Sequence, residues 1–576
     1  MNRPRAIRLL LAMGVLVTAG WLLRGYITDD TFIHLRYAHN LIELGEFSFN
    51  PGESSYGATS PLWIFGLALL LKLGVSPFAA AWLLGVLSGV MVILLMDAIL
   101  EQMSVSAIWK GAILLLAACD AWFLRWTFSG METPLSTGML LLLLWPLVSG
   151  RDVGWGVSRG PLWQRYLAWG AGAGLAGLVR PELMLVAPLA LPWLMWFEYF
   201  RAGAVGGPEA RHRARPHRPL LAAIGGWLVV TVPWLTYAWI AFGRLTPGTA
   251  AAKSSTIAAS PLAVMEYLLA SVRQLAVVQG LLWLVALALV IMVLIRNSMS
   301  QNARLSDSIA EDLPAPSRAA EFDPARTTPG HGPWSVWGPV ALVGIAVTWT
   351  VALLGGYAIK QVWIISRYVA PVAPVLLLAL TVIGEWLMGG REGDRSRRRI
   401  CISVIVVGVV ATLLLNGWIL TTQIVPHARK FSVGVKECYL AMGEWLGENT
   451  PEDTVIAALD IGAVGYGSQR HVLDLMGLVS PEILDLGREV GFAEMVESGA
   501  WLPEAGTTAE VVRPDYFIDR SEGVPRWDGR VVRGVRFDLI DTCILEGVGI
   551  REPQPWTVAL YRLELVDTRV KAATGG

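Results

Sequence analysis

The chain has 576 residues, 54% of them hydrophobic and only 16% charged, with zero formal net charge and a mean hydropathy of +0.52. Soluble globular proteins carry roughly 25% charge, so this composition excludes water as the solvent for most of the chain. The neutral balance, with no nucleic-acid motif, excludes nucleic acid as a partner.

Apolar runs such as Ala6 to Trp21, Met91 to Leu100, Leu140 to Val148, Leu281 to Ile295 and Ile402 to Leu415 call for a bilayer. Backbone groups in lipid must pair within their own segment, so these runs are predicted helices. The first span, about 7–26, follows Arg3, Arg5 and Arg8. A signal peptide begins the same way, but no small-x-small cleavage site follows, so a retained anchor is expected. Basic residues stay on the cytoplasmic side. The N-terminus is therefore expected inside, and Thr28-Asp29-Asp30 outside.

After that pair, Phe32, Ile33, Leu35, Leu41 and Ile42 predict an amphipathic helix along the membrane interface, with Asp29 or Asp30 as its cap. Segment 61–75 is short, holds Lys72 and ends at Gly74 to Pro77, which predicts a half-span or re-entrant helix. Full spans are expected near 78–100, 111–128, 134–149, 166–179, 183–200, 219–242, 276–296, 335–357, 368–388 and 400–424. With the first, these make eleven spans plus the short segment. Strongly basic loops at 201–218 and 391–399, and weaker ones at 150–165 and 296–334, are expected in the cytoplasm. The stretch 297–334, rich in Ser, Pro, Ala and charge, predicts a mobile loop.

From about 425 the pattern changes. Short apolar runs (Val455 to Leu459, Val472 to Leu475, Tyr516 to Ile518, Thr557 to Leu563) alternate with helical stretches and Gly/Pro turns. The expected fold class is thus an α-helical polytopic membrane protein of 11–12 segments (1–424, with 28–60 as the first extracytoplasmic loop) carrying a C-terminal extracytoplasmic α/β domain (425–576). Cys438 and Cys543 both fall in that domain, where an oxidising compartment allows a disulfide; their sequence positions do not show that they meet.

Two adjacent carboxylates at a helix mouth are costly unless hydrated, paired or metal-bound. A solvated pair would satisfy that rule, so the surrounding residues decide the reading. Downstream lie Arg36-Tyr37-Ala38-x-Asn40, Phe49-Asn50-Pro51-Gly52-Glu53 and Gly57-x-Thr59-Ser60-Pro61-Leu62. Then come Ser129-Gly130-Met131-Glu132-Thr133-Pro134-Leu135, Arg180-Pro181-Glu182 and Arg367-Tyr368-x-x-Pro371. The tail adds Asp460-Ile461-Gly462-Ala463-Val464-Gly465-Tyr466 and Asp474-Leu475-Met476-Gly477-Leu478-Val479-Ser480-Pro481.

In this order, over most of the chain, the motifs resemble the C-type (GT-C) polyprenyl-phosphate-sugar-dependent membrane glycosyltransferases, especially the branch of mycobacterial terminal arabinofuranosyltransferases. One departure is Pro247-Gly248-Thr249-Ala250-Ala251-Ala252-Lys253, where relatives carry a Pro-Asn-Thr-Phe-Tyr-Ala-Lys-like stretch. Loss of the Asn and aromatic groups leaves the sugar or acceptor preference open.

The resemblance implies inverting transfer of a sugar, arabinofuranose among the candidates, from a polyprenyl-phosphate donor to a cell-envelope glycan or lipid acceptor. Such a reaction needs a carboxylate to take the acceptor proton and positive charge or a metal to stabilise the departing phosphate. Asp29 or Asp30 is the expected base. Lys253, Arg180, Arg367, Arg36 and His34 are the expected phosphate partners, with Lys360 a weaker one. Glu132, Tyr37, Asn40, Thr59, Ser60 and Tyr368 are expected to orient the acceptor. A divalent cation (Mg2+, Mn2+ or Ca2+) would sit on Asp30 and Glu132. Each cation also has a plain reading as an interfacial side chain stretched towards water, and Glu132 as a carboxylate favoured at a helix start. The expected location is a cell membrane, multi-pass, with membrane lipids as neighbours.

A transporter or flippase of lipid-linked sugars would show internal repeats and mid-membrane charges; no repeat is visible, and ionisable residues gather at outer helix ends. A non-catalytic envelope scaffold would fit a degenerate site, and Asp29, Asp30 and Glu132 are all present.

Overall fold

A computed structural model describes residues 3–103, 105–148, 161–195, 217–252, 260–310, 334–362, 365–388, 395–503, 513–550 and 554–566. Its first part is helical: α1 (Arg3–Leu22), α2 (Asp29–Glu43), α3 (Pro61–Lys72), α4 (Pro77–Gln102), α5 (Ala107–Cys119), α6 (Ala121–Thr127), α7 (Thr133–Val148) and α8 (Leu162–Val179). There follow α9 (His217–Phe242), α10 (Gly248–Ala252), α11 (Pro261–Ala310), α12 (Trp334–Lys360), α13 (Ser366–Val369), α14 (Val372–Met388) and α15 (Arg395–Ile419). Among the described residues, six helices are long and apolar enough to cross a membrane, and a seventh counts if α5 and α6 form one span. Shorter apolar helices lie at α3, α7, α14 and Pro181–Met195. The chain is a multi-pass membrane protein.

Two expectations change. The segment 111–128 is not a straight span: α5 and α6 meet at a 54° bend. Backbone freed at such a break needs partners inside lipid. Asp120 supplies them by accepting from the N–H groups of Trp122 and Phe123, and Asn416 Oδ1 accepts from Ala121 N–H at 2.9 Å. Helix α11 runs on to Ala310, so only 311–333 of the expected loop lies outside the described residues, as do 201–216 and 391–394 of the basic loops. At the N-terminus, Arg5 and Arg8 of α1 pair with Asp97 of α4. The Asp97 carboxylate accepts from Arg5 Nε at 2.8 Å and from buried Arg8 Nε at 2.6 Å.

Beyond α15 the helix continues without a break through α16 (Val425–Gly434) and α17 (Ala441–Asn449), joined by the wide turns Leu420–Ile424 and Val435–Leu440. A sheet follows, built from β1 (Val455–Ala458), β2 (His471–Asp474), β3 (Tyr516–Glu522), β4 (Val531–Val532), β5 (Val535–Leu545) and β6 (Trp556–Leu565) in the order β2-β1-β3-β6-β5-β4. Strand β1 runs parallel to β2 and β3, and the other pairings are antiparallel. All four apolar runs noted in the tail are strands here. Helices α18 (Gly462–Ser468), α19 (Pro481–Val490) and α20 (Phe492–Ser498) complete this α/β domain. Cys438 and Cys543 are joined in a disulfide, their Cα atoms 5.4 Å apart.

The domain has its own aromatic core of Trp501, Phe517, Trp527, Phe537 and Tyr561. A second core crosses to the membrane part, where Phe32, Leu35, Tyr37 and Phe49 pack with Val464, Val472 and Leu560. Helix α2 therefore does not lie on the lipid surface. Residues Thr31 to Ala38 are buried, and tail residues take the place expected for lipid. Its cap is Thr28, not either aspartate.

Candidate functional site

Helix α2 presents two faces to two different partners. Asp29, Arg36 and Asn40, seven and four residues apart, fall along one side, and Asp30, Ile33 and His34 fall along another. The first side is fastened to protein backbone. Asp29 accepts hydrogen bonds from Gly462 N–H at 3.0 Å and Ala463 N–H at 2.8 Å, the first turn of α18. A Cβ on Gly462 would overlap the Asp29 carbonyl oxygen, so only glycine admits this approach. Arg36 is fully buried and donates to the carbonyls of Phe49 (3.0 Å), Arg470 (3.1 Å) and Gly465, and to Gln469 Oε1. Asn40 Nδ2 donates to the carbonyls of Ser48 and Phe49, both at 2.9 Å. Tyr37 OH donates to the Ser55 carbonyl and accepts from Gly57 N–H. Asn50 pairs with β2 as another strand would, accepting from Val472 N–H and donating to its carbonyl, each at 3.0 Å.

The second side of α2 opens on a cavity of about 670 Å³. Asp30, His34, Thr59, Glu132, Arg180, Arg367 and Tyr368 all line it. Asp30 receives Arg367 Nη1 at 2.5 Å. Arg180, just after α8, is held between Glu132 (2.8 Å) and Glu182 (2.6 Å). Tyr357 OH donates to Glu182 at 2.6 Å. The Tyr368 ring lies between the two guanidiniums, each 5.2 Å from its centroid, an arrangement that suits cation–π attraction on both. Two buried atoms beside this network, Arg367 Nε and Glu132 Oε2, have no hydrogen-bond partner among the described residues. A buried donor and acceptor left open cost free energy unless something else satisfies them.

Electrostatics separate the two aspartates further. Burial, with Asp460 and Asp30 nearby, pushes the Asp29 carboxyl up to about 7 against the pull of the two backbone N–H groups. Asp460 accepts from Tyr439 OH at 2.7 Å and from Arg520 at 2.9 Å.

Of the expected phosphate partners, Arg180, Arg367 and His34 line the cavity, Arg36 does not, and Lys253 lies outside the described residues. Every described donor bond of Arg36 is spent on the tail or on the Phe49 carbonyl, which corrects the expectation of phosphate binding. Tyr37, Asn40 and Ser60 are likewise not at the cavity; Tyr37 and Asn40 brace the loop 48–60, and Ser60 stands at the N-cap of α3. Sequence reasoning missed Tyr357, Thr249 and Arg488, which line the cavity too. Tyr357 ends an apolar span and Arg488 sits on α19 of the tail, positions with no local signal of a shared site.

As a cation site, Asp30 and Glu132 fit poorly. Each carboxylate is engaged by a guanidinium, and among the described residues no cluster of three or more His, Cys, Asp or Glu could hold a metal ion.

The architecture is similar to that of ArnT from Cupriavidus metallidurans in the apo state, with a TM-score of 0.51 at 12% identity over 96% of this chain and 97% of that one. Fainter likenesses link it to the Archaeoglobus fulgidus oligosaccharyltransferase (TM-score 0.48, 12% identity, 88% of this chain and 69% of that one) and to the arabinofuranosyltransferase AftD from Mycobacteria (TM-score 0.49, 14% identity, 99% and 42%). The chain has a GT-C-type fold. A domain of unknown function, DUF8728, matches residues 427–563. No curated protein matches the chain by sequence.

Proposed function

We propose that this protein is an inverting glycosyltransferase that moves a sugar from a polyprenyl-phosphate donor to a hydroxyl of a cell-envelope glycan or lipid, on the outer face of a cell membrane. The observation that carries the proposal is the pairing of Asp30 with Arg367 inside a cavity of about 670 Å³ that Arg180, Tyr368 and Lys360 also line. Three carboxylates (Asp30, Glu132 and Glu182) and several cations meet where the 28–60 loop faces the tail; Arg180 takes the two glutamates and Arg367 takes Asp30, a set that supplies the base and the positive charge the transfer needs.

In the reaction, Asp30 takes the acceptor's hydroxyl proton as its oxygen bonds to the anomeric carbon. The bond from that carbon to the phosphate oxygen breaks, and the lipid phosphate leaves with the electron pair. No acid is required, because a phosphate leaves as an anion, unlike the alcohol of glycoside hydrolysis. Arg367 is placed to serve both ends. While Asp30 is charged, Arg367 pairs with it; as Asp30 gains a proton, the guanidinium is released to the charge growing on the phosphate. Arg180, already balanced by two glutamates, holds Tyr368 and Glu132 in place. A divalent cation on Asp30 would have to displace Arg367, so charge neutralisation is assigned to the guanidiniums.

Transfer from a panel of radiolabelled polyprenyl-phosphate sugars by membranes carrying the protein tests the reading, with arabinofuranose first. Incorporation into an envelope acceptor from one donor supports it. No transfer from any donor, with acceptor membranes supplied and expression verified, counts against it.

A further inference from the structure

A second pocket, of about 190 Å³, sits where α1 ends and shares no lining residue with the first cavity. It is lined by Arg24, Gly25 and Tyr26 on one side, and by Arg429, Ser432 and Lys436 of the helix that leaves the membrane on the other. Helix α1 is a span ending at Leu22. The opposite wall belongs to a continuous helix, Arg399–Asn449, of 51 residues, far more than the roughly 20 that cross a bilayer. Exposed Trp21, two residues before the pocket on α1, marks the depth at which aromatic side chains meet headgroups.

Three cations face this small space, and no carboxylate lines it. None of the three forms an ion pair with a described residue. Arg24 instead stacks on Trp21 at 5.1 Å and Lys436 on Phe78 at 5.4 Å. Arg24 by itself is explained by its place after a helix C-terminus. Arg429 and Lys436 lie two turns apart in the middle of a helix, so that reason does not extend to them. Lys430 makes the contrast: next to Arg429 on the chain, it pairs with Glu546 at 2.7 Å. Like charges gathered in one pocket repel unless an anion joins them.

We infer that this pocket binds the phosphodiester of an anionic phospholipid in the adjoining leaflet, with the lipid tails lying along α1 and α15. Its chemistry would also accept a free phosphate, but the position at headgroup depth favours the lipid. An occupant would brace the segment that leads into α2, since Ile27 N–H donates to Ser432 Oγ at 3.0 Å on the pocket wall. The inference does not depend on the transferase reading.

The test is native mass spectrometry of the full chain released from nanodiscs of phosphatidylcholine doped with phosphatidylglycerol. Wild type should retain phosphatidylglycerol. Arg24→Gln/Arg429→Gln/Lys436→Gln should show at least about tenfold lower occupancy, the loss expected from a single charge-assisted hydrogen bond. Lys430→Gln should match wild type. Should the triple variant fail to fold, the single variant Arg429→Gln carries the comparison. Equal retention by wild type and pocket variants, or an equal loss in Lys430→Gln, overturns the site. Inorganic phosphate that binds wild type and displaces the lipid overturns the headgroup assignment.

Discussion

The Asp29 carboxylate accepts the Ala463 N–H at 2.8 Å, and through this bond α2 is fixed to a domain 434 residues further along the chain. Asp30, its immediate neighbour, faces the cavity instead and pairs with Arg367. The adjacent carboxylates are thus held differently: one is committed to backbone and the other lines the cavity in an ion pair. Asp29 acts as a positioning residue, and the tail sets where Asp30 stands.

Gly462→Ala tests that positioning. The added Cβ has no room against Asp29 and must push α2 and α18 apart. Overpacking of this kind costs about 1–3 kcal/mol, and kcat should fall while the donor KM changes little. Gly417→Ala, in a helix with open space at that point, is the control and should leave both unchanged. The two rates compared at equal expression decide the matter.

Asp29 also gives stability a pH dependence of predictable sign. Its carboxyl stands near 7 in the fold and near 3.8 when unfolded. Between those values the folded state holds a proton that the unfolded state has lost, so this group's contribution falls as pH rises through that window. The thermal midpoint should decline from about pH 4 to about pH 7, the window between the two values, and Asp29→Asn should flatten the decline. A slope unchanged in the variant would remove Asp29 as its source.

Arg180 sits between two carboxylates, and its side chain is only 7% exposed. Arg180→Gln leaves Glu132 and Glu182 buried without their counter-charge, a change of the kind that costs about 3–5 kcal/mol. Thermal unfolding should register the loss. Adding Glu132→Gln should recover part of it, because one of the stranded charges goes too.

The disulfide closes a loop of 105 residues between the membrane-emergent helix and β5. Removing such a link from the unfolded chain's restraints costs about 2–5 kcal/mol. Reduction, or Cys438→Ser/Cys543→Ser, should lower the thermal midpoint of the tail, as read by tryptophan fluorescence.

Much of this arrangement was legible from residue order. The apolar runs marked the spans, and the four short runs of the tail marked its strands. Asp30, Glu132, Arg180, Glu182, Arg367 and Tyr368, from four separate motifs, line one cavity. What motif reading lost was direction. Arg36, Tyr37 and Asn40 stand beside Asp30 in sequence, yet helical phase turns Arg36 and Asn40 to the side shared with Asp29. Counting that phase from Asp30 selects Ile33 and His34, the residues that do line the cavity. The tail's part was harder to see. Gly462 and Arg488 reach the first outer loop and the cavity only because β1 and β2 run parallel and send their following turns to the same end. No local pattern carries that information.

The most direct test of this account is the rate of sugar transfer by purified Asp30→Asn and Asp29→Asn beside wild type, each at saturating donor. Asp30→Asn should lose roughly 10²–10⁴-fold in kcat, as expected when a general base is removed, while Asp29→Asn loses less. Transfer by Asp30→Asn at the wild-type rate, or a collapse confined to Asp29→Asn, would contradict it.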